Sequence, residues 1–423
     1  MVNKHTHTLV PVGTWLYHSP KLAMNGVSID IGLVCESLLY YDQVYIVVHD
    51  EKHFNAIIAW FKQQGAFQSL LSLIDDGVIN FVYHSFIPLP IYKEETNGWE
   101  IWNINDMESQ GENVFNKRVL YNDGLAQITQ SKERKKLYSR LGNGAVSEFK
   151  ADQFVDAIEN TRADSSDPSK TGIIIQSFVD ELYEEFQLKK QFHVVSSLER
   201  INDQTILKWN VNFDQMNLVT KHKLGIHLGM PLAGLAQCNR LIKTSSLLNC
   251  DLYLGPVMDS LVNNKLLEID VKSTKIASVI QEFNVEVDFP RISNLVNKGV
   301  LSFQEILKIR KEARKFRDWL QEQGERDSNA LIAYQSEVAN KTGLAKFGGG
   351  LLSITGVAIV GALGAFGGSL GASLDPSVGG VVGSAIASVA GLGVDKFIGS
   401  FNKEWKPMVF GNWLTKYTVN KQK

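Results

Sequence analysis

The stretch DQVYIVVHDEKHFNAIIAWFKQQG, residues 42–65, changes its periodicity half-way along. QVYIVVH at 43–49 is a short, continuous apolar run rich in β-branched residues, the pattern of a strand buried on both faces. Asp50 and Glu51 then open a segment that closes on Gly65, which are the start and stop signals of a helix. Working outward, VCESLLYY (34–41) suits a helix, 66–74 continues helical, Gly77 breaks it, and VINFVYHSF (78–86) repeats the strand pattern. A β-α-α-β order predicts a parallel sheet. Pro88 and Pro90 are expected to end this unit, EIWNI (100–104) to add a strand, and SKERKKLYSRLGNG (131–144) to form a solvated helix and loop. The fold class expected is therefore an α/β N-terminal region, here placed at 1–145.

The next stretch, 146–283, reads as a mixed α/β regulatory or partner-binding region. FVDELYEEFQL (178–188) is amphipathic helix, FHVVSSL (192–198) and TILKWNVNF (205–213) suit strands, and GIHLGMPLAGLAQCNRLI (225–242) suits a buried helix pair or close packing site. From 284 to 346 the character is basic and helical. Ser302 and Glu305 stand at capping-box spacing. Ile306, Ile309, Ala313, Phe316 and Leu320 form one apolar stripe, while Lys308, Arg310, Lys311, Arg314, Lys315 and Arg317 crowd the rest. A second helix is expected at 329–340. Such a cationic amphipathic helix suits three roles: an ordinary surface helix, an anchor on anionic lipid, or a nucleic-acid contact.

The last region, 347–423, contains a long glycine-rich apolar segment with a single charge, Asp375, over 347–394. Asp375-Pro376 is turn chemistry between two runs, so a hydrophobic helical hairpin is expected. The first run exceeds the roughly 20 residues that cross the hydrocarbon, and the second is just adequate. Gly364, Gly368 and Ala372 recur every four residues, as do Gly379, Gly383, Ala387 and Gly391. On a helix this spacing makes a smooth stripe that lets two backbones approach, the packing mode of helices in lipid. Trp405 and Trp413 suit the headgroup level, and flanking lysines place both ends on the cytoplasmic side. Leu, Ile, Val and Phe make up less than half of either run, which suits conditional insertion; a glycine-rich hairpin buried in a soluble domain is the alternative.

Composition narrows the chemistry. A net charge of −2 implies no general attraction to nucleic acid or anionic lipid, so any such contact is local. Cys35, Cys238 and Cys250 lack metal or redox spacing and read as free thiols of a reducing cytosol. The first residues lack a continuous apolar core, so no secretory signal is expected. Neither a phosphate-binding G-x-x-x-x-G-K-[ST] nor a dinucleotide G-x-G-x-x-G follows a strand, so no cofactor is expected. GGSLG (367–371) matches a nucleophile elbow, but no His follows it. His49 and His53 have the i, i+4 spacing of zinc proteases, but Asp50 replaces the required Glu and His49 ends a strand. No metal site is expected there. His5 and His7 are read as part of a loose N-terminus. Glu268, Asp270 and Lys272 form the acidic-x-Lys pattern of metal-dependent nucleases, a short and common one.

The path VDFPRISNLVNKGVLSFQEILKIRKEARKFRDWL, then the glycine-rich hairpin, then WKPMVFGNWL, resembles the C-terminal part of membrane effectors in prokaryotic antiphage and anti-plasmid defence, such as those accompanying short Argonautes. The resemblance covers about 285–423 and is architectural. It implies a non-enzymatic effector of abortive infection, cytoplasmic until a nucleic-acid-sensing partner from the same operon releases or assembles it. It would then act as a homo-oligomer on the anionic phospholipid of the cell membrane, without binding nucleic acid itself. The alternative is a soluble scaffold or nucleic-acid-associated protein, or a metal-dependent nuclease, with the hairpin as core.

Overall fold

The computed structural model describes residues 7–13, 23–24, 27–93, 98–105, 114–142, 144–185, 193–201, 204–212, 229–255, 258–259, 261–262 and 292–318. The chain opens with β1 (His7–Pro11), the short pair β2 (Ala23–Met24) and β3 (Val27–Ser28), α1 (Ile31–Tyr40) and β4 (Gln43–Val48). There follow α2 (Glu51–Gln63), α3 (Phe67–Asp75), β5 (Ile79–His84), the hairpin β6 (Phe86–Lys93) and β7 (Gly98–Asn105), α4 (Asp123–Ile128), α5 (Ser131–Leu141) and β8 (Val146–Phe149). Next come α6 (Val155–Ser165), α7 (Pro168–Glu185), the hairpin β9 (Ser196–Ile201) and β10 (Gln204–Trp209), α8 (Gly229–Leu248), β11 (Asp251–Leu252), α9 (Ile292–Asn297) and α10 (Phe303–Glu312).

Five strands form one all-parallel sheet in the order β11-β1-β4-β5-β8. Side chains alternate across it as the pleat requires. Val10, Val44, Ile46, Val48, Phe81 and Tyr83 enter the core with α1, α2 and α3, whereas Leu9, Val47 and Val82 enter a second core with α7 and α8. Both faces are thus covered, which explains the unbroken apolar run at 43–48. On the second face a buried polar link joins the helices: the Asn239 side-chain amide donates to Thr161 Oγ1 (3.2 Å) and Asp164 Oδ2 (2.7 Å).

The α/β expectation for the N-terminal region holds, and the described residues beyond the sheet are mostly helical. Several expectations need correction. β1 is an interior strand beginning at His7, so that residue does not lie in a loose terminus. Pro88 and Pro90 do not end the unit, because both sit inside β6, opposite Asn103 and Ile101. Residues two apart aim their N–H positions to the same side, and in a two-stranded ribbon one side is an open edge that needs no donor. From Gly229 the apolar segment at 225–242 belongs to one helix, α8, which runs on to Leu248, with Pro231 in the first turn where its missing N–H costs nothing.

The sheet crosses the boundary expected at 145/146, and a core crosses the one expected at 283/284. β8 and β11 complete the N-terminal sheet, and Ile292, Leu295, Phe303, Ile306, Ile309, Ala313 and Phe316 share one core with residues of α1, α2 and α3. Closeness makes this possible at Gly32, where any Cβ would lie 2.2 Å from the Ser293 carbonyl oxygen. The backbones of α1 and α9 touch there, and only glycine leaves room. Asn297 ties the pair, accepting from Gly32 N–H (2.9 Å) and donating to Asp30 Oδ1 (2.7 Å). The helix expected at 329–340, the hairpin with Gly364, Gly368, Ala372, Gly379, Gly383, Ala387 and Gly391, and Trp405 and Trp413 all lie outside the described residues.

Candidate lipid-facing helix

Ser302 starts α10 as its spacing predicts. Its hydroxyl accepts from Glu305 N–H, and the Glu305 carboxylate accepts from Ser302 N–H at 2.9 Å. Ala313 keeps a right-handed helical backbone, its N–H donates to the Ile309 carbonyl (2.8 Å) and its carbonyl accepts from Arg317 N–H (2.9 Å), so the helical phase carries on through 314–318. The apolar stripe is buried as expected: Phe303, Ile306, Ile309, Ala313 and Phe316 are fully covered, while Leu320 lies outside the described residues. Phe303 sets its ring edge-on to Phe61 (4.7 Å between centroids) and Trp60 (5.9 Å), and Phe316 packs likewise against Tyr40 (6.0 Å). Each such pair adds roughly 0.5–1.5 kcal/mol beyond simple burial.

The six cations expected to meet lipid divide into two sets. Arg310 and Arg317 turn inward to the C-terminus of α1. Arg310 donates from Nη1 to the Leu38 and Tyr41 carbonyls, the latter at 2.8 Å, and from Nη2 to the Asp42 carbonyl at 2.9 Å. Arg317 donates to the Leu39 carbonyl (3.3 Å) and the Arg310 carbonyl (2.9 Å) and forms an ion pair with Asp42 (3.4 Å). The last carbonyls of a helix have no partner inside it and carry the negative end of its dipole, so a guanidinium fork suits them. Burial, then the neighbouring Arg317, pulls the Arg310 guanidinium down to about 10, with Asp42 opposing; it stays charged at neutral pH. Both arginines face the end of α1 and not the exposed side of the helix.

Lys308, Lys311, Arg314 and Lys315 are exposed. At 3.6 residues per turn they fall within about one third of the helix circumference, opposite the buried stripe. What the arrangement offers is a helix bolted to the α/β body on one side and presenting on the other four positive charges with one negative charge, Asp318, in the same arc.

The remaining motifs are placed as follows. His49 sits just past β4, and Asp50 caps α2 by accepting from His53 N–H (2.9 Å) and pairs with His53 Nδ1 (2.8 Å). Burial would raise the Asp50 carboxyl, but the His53 contacts outweigh it and hold the group at about 2. The 49–53 pair is thus a strand end and a helix start. Among the described residues no group of His, Cys, Asp and Glu is placed to hold a metal ion. The 268–272 and 367–371 motifs lie outside the described residues. Cys35 and Cys238 are buried thiols, and burial first of all pushes Cys250 up to about 12, which makes it a poor nucleophile. Among the described residues no helix is long and apolar enough to cross a membrane. No family model, no curated protein and no solved structure matches the chain.

Proposed function

We propose that the chain is a non-enzymatic, membrane-acting effector of a prokaryotic immune system of the abortive-infection kind. Its resting form stays in the cytoplasm with the C-terminal segment held on the α/β body. A nucleic-acid-sensing protein from the same operon, of the short-Argonaute kind, releases or assembles it. The active form is a homo-oligomer at the anionic cell membrane, where paired glycine-rich hairpins permeabilise or depolarise the bilayer. The observation that carries this reading is the division of cations on 303–318, four of them exposed on one face shortly before a segment of 48 residues bearing one charge. Lys308, Lys311, Arg314 and Lys315 supply the attraction to lipid, at about 1 kcal/mol each near the surface. Gly364, Gly368, Ala372, Gly379, Gly383, Ala387 and Gly391 supply the helix-packing stripes.

The test is dye release from vesicles containing anionic lipid, with the chain activated by its operon partner. Full-length protein is expected to release dye and a chain lacking 347–394 to release none. Equal leakage from the two chains rejects the proposal.

A further inference from the structure

Positive charge also gathers away from α10. Residues 114–142 hold seven Lys and Arg against two carboxylates, Asp123 and Glu133, in a chain whose net charge is −2. Some of these cations serve the fold. Arg134 donates to the Ala126 (3.1 Å) and Thr129 (2.6 Å) carbonyls, and Arg140 pairs with Asp75 (2.6 Å). Lys132, Lys135 and Lys136 do not. All three are exposed, and none forms an ion pair among the described residues. Glu133, on the same helix, is taken by Lys62 (2.5 Å) and by the Gln130 N–H (2.7 Å).

α5 sets the three lysines on one ridge, because positions three and four apart share a helix face. Leu137 and Leu141 are buried on the other side. Lys135 also stands three residues before Tyr138, whose ring lies at right angles to that of Tyr121, with centroids 4.7 Å apart. Tyr121 is itself 55% exposed, so an anchored aromatic ring stands in water beside the ridge. Lys117 and Arg118, exposed on the helical turn just before it, add to the positive field.

This combination selects among polyanions. A protein partner calls for an apolar centre inside a polar rim, and a bilayer for apolar side chains beside the cations. The other exposed large apolar residues, Val155, Val195 and Leu247, belong to α6, to the approach to β9 and to α8. Lysines are point charges without the fork that reads a planar carboxylate, which suits a repeating phosphate backbone. An accessible ring suits a base, since every base has a π-face.

We propose that the α5 ridge and Tyr121 form a binding surface for single-stranded nucleic acid. Lys132, Lys135 and Lys136 follow the phosphates, and an unpaired base stacks on Tyr121. A duplex supplies the charges but keeps its bases closed. The surface lies on a different helix from the exposed lysines of α10, so this proposal does not depend on action at a membrane. It replaces the expectation that the chain does not itself bind nucleic acid.

The experiment is fluorescence anisotropy of the full chain with labelled oligo(dT) of about 20 nucleotides, longer than the site of one small single-strand-binding domain, over a series of salt concentrations. Saturable binding that weakens with salt is expected, with a duplex of the same length clearly weaker. Changing Lys132, Lys135 and Lys136 together to Gln is expected to lower the slope of log K against log salt by about 2, at about 0.7 per phosphate contact. Tyr121→Leu keeps bulk against Tyr138 without the π-face; it is expected to weaken binding roughly 5- to 150-fold with the slope unchanged. Tyr121→Phe is expected to bind as the parent does. All these positions are exposed, and the unfolding temperature of each variant checks the fold. Changing Lys308, Lys311, Arg314 and Lys315 to Gln is expected to leave the affinity within about threefold, since salt screens charges on a separate surface. The proposal is overturned if the parent does not bind oligo(dT) at low salt, if the duplex binds as tightly, if the three lysines or Tyr121 can be replaced without these losses, or if the α10 variant loses the binding instead. Displacement of oligo(dT) by anionic vesicles or by polyglutamate at equal charge concentration overturns it as well, and identifies a lipid surface or an acidic protein.

Discussion

Arg310 and Lys308 are two residues apart and do opposite things. Replacing Arg310 with Met strips three carbonyls at the end of α1 of their donor, and a loss of about 2–4 kcal/mol is expected by urea denaturation. Arg310→Lys recovers only part, since an ammonium cannot span the fork. Lys308→Met is expected to stay within about 0.5 kcal/mol of the parent. Composition cannot separate these two residues, but phase can: Arg310 follows Ile309 and Arg317 follows Phe316, so both flank the buried stripe one heptad apart. Asp251 makes a second case at this scale. Burial pushes its carboxyl up to about 6, above its ordinary value of 3.8. The protonated form is the one the fold prefers, so this contribution is present below about pH 4 and is lost as pH rises through 6. Asp251→Asn is therefore expected to flatten that decline and to add up to about 3 kcal/mol at pH 7.5, with little change at pH 4. Denaturation curves at the two pH values check it.

Among elements, those announced by strong local chemistry were legible beforehand. β4, α2 and β5 carry a change of period and clear stops, and α10 carries a capping box that forms as spaced. β1 was not legible, because HTLVP is short and ends in proline; its place is set by pairing with β4 and β11, which are 32 and 240 residues away. β6 was hidden by Pro88 and Pro90, since a proline signals a break unless the strand has an open edge. The docking of α9 and α10 on α1 was equally hidden, because a contact such as Gly32 against Ser293 leaves no local pattern. The exposed face of α10 yields the prediction at this scale. Changing Lys308, Lys311, Arg314 and Lys315 together to Gln is expected to weaken binding to anionic vesicles roughly 10²–10³-fold, at about 1 kcal/mol per charge. The fold's urea midpoint should barely move. Co-sedimentation with vesicles of graded anionic content measures the first, and fluorescence the second.

At the scale of the molecule, the sheet spans the division expected at 145 and a core spans each of the two divisions, so truncation at either boundary is expected to give insoluble or unfolded product rather than a working half. Limited proteolysis of the full chain should leave a protected body that still contains 303–318. Composition records local polarity, while the sheet pairs β1 with a strand 240 residues further on. The bond between Arg310 and the exit of α1 spans about 270 positions of the chain. A tug applied at residue 318 would be felt first, among the described residues, at Leu38–Asp42, near the opposite end of the polypeptide, where water must flood in to satisfy the abandoned oxygens. In an optical trap with its handle at 318, the earliest extension step should therefore be a small one, sensitive to Arg310 and indifferent to the strands behind it.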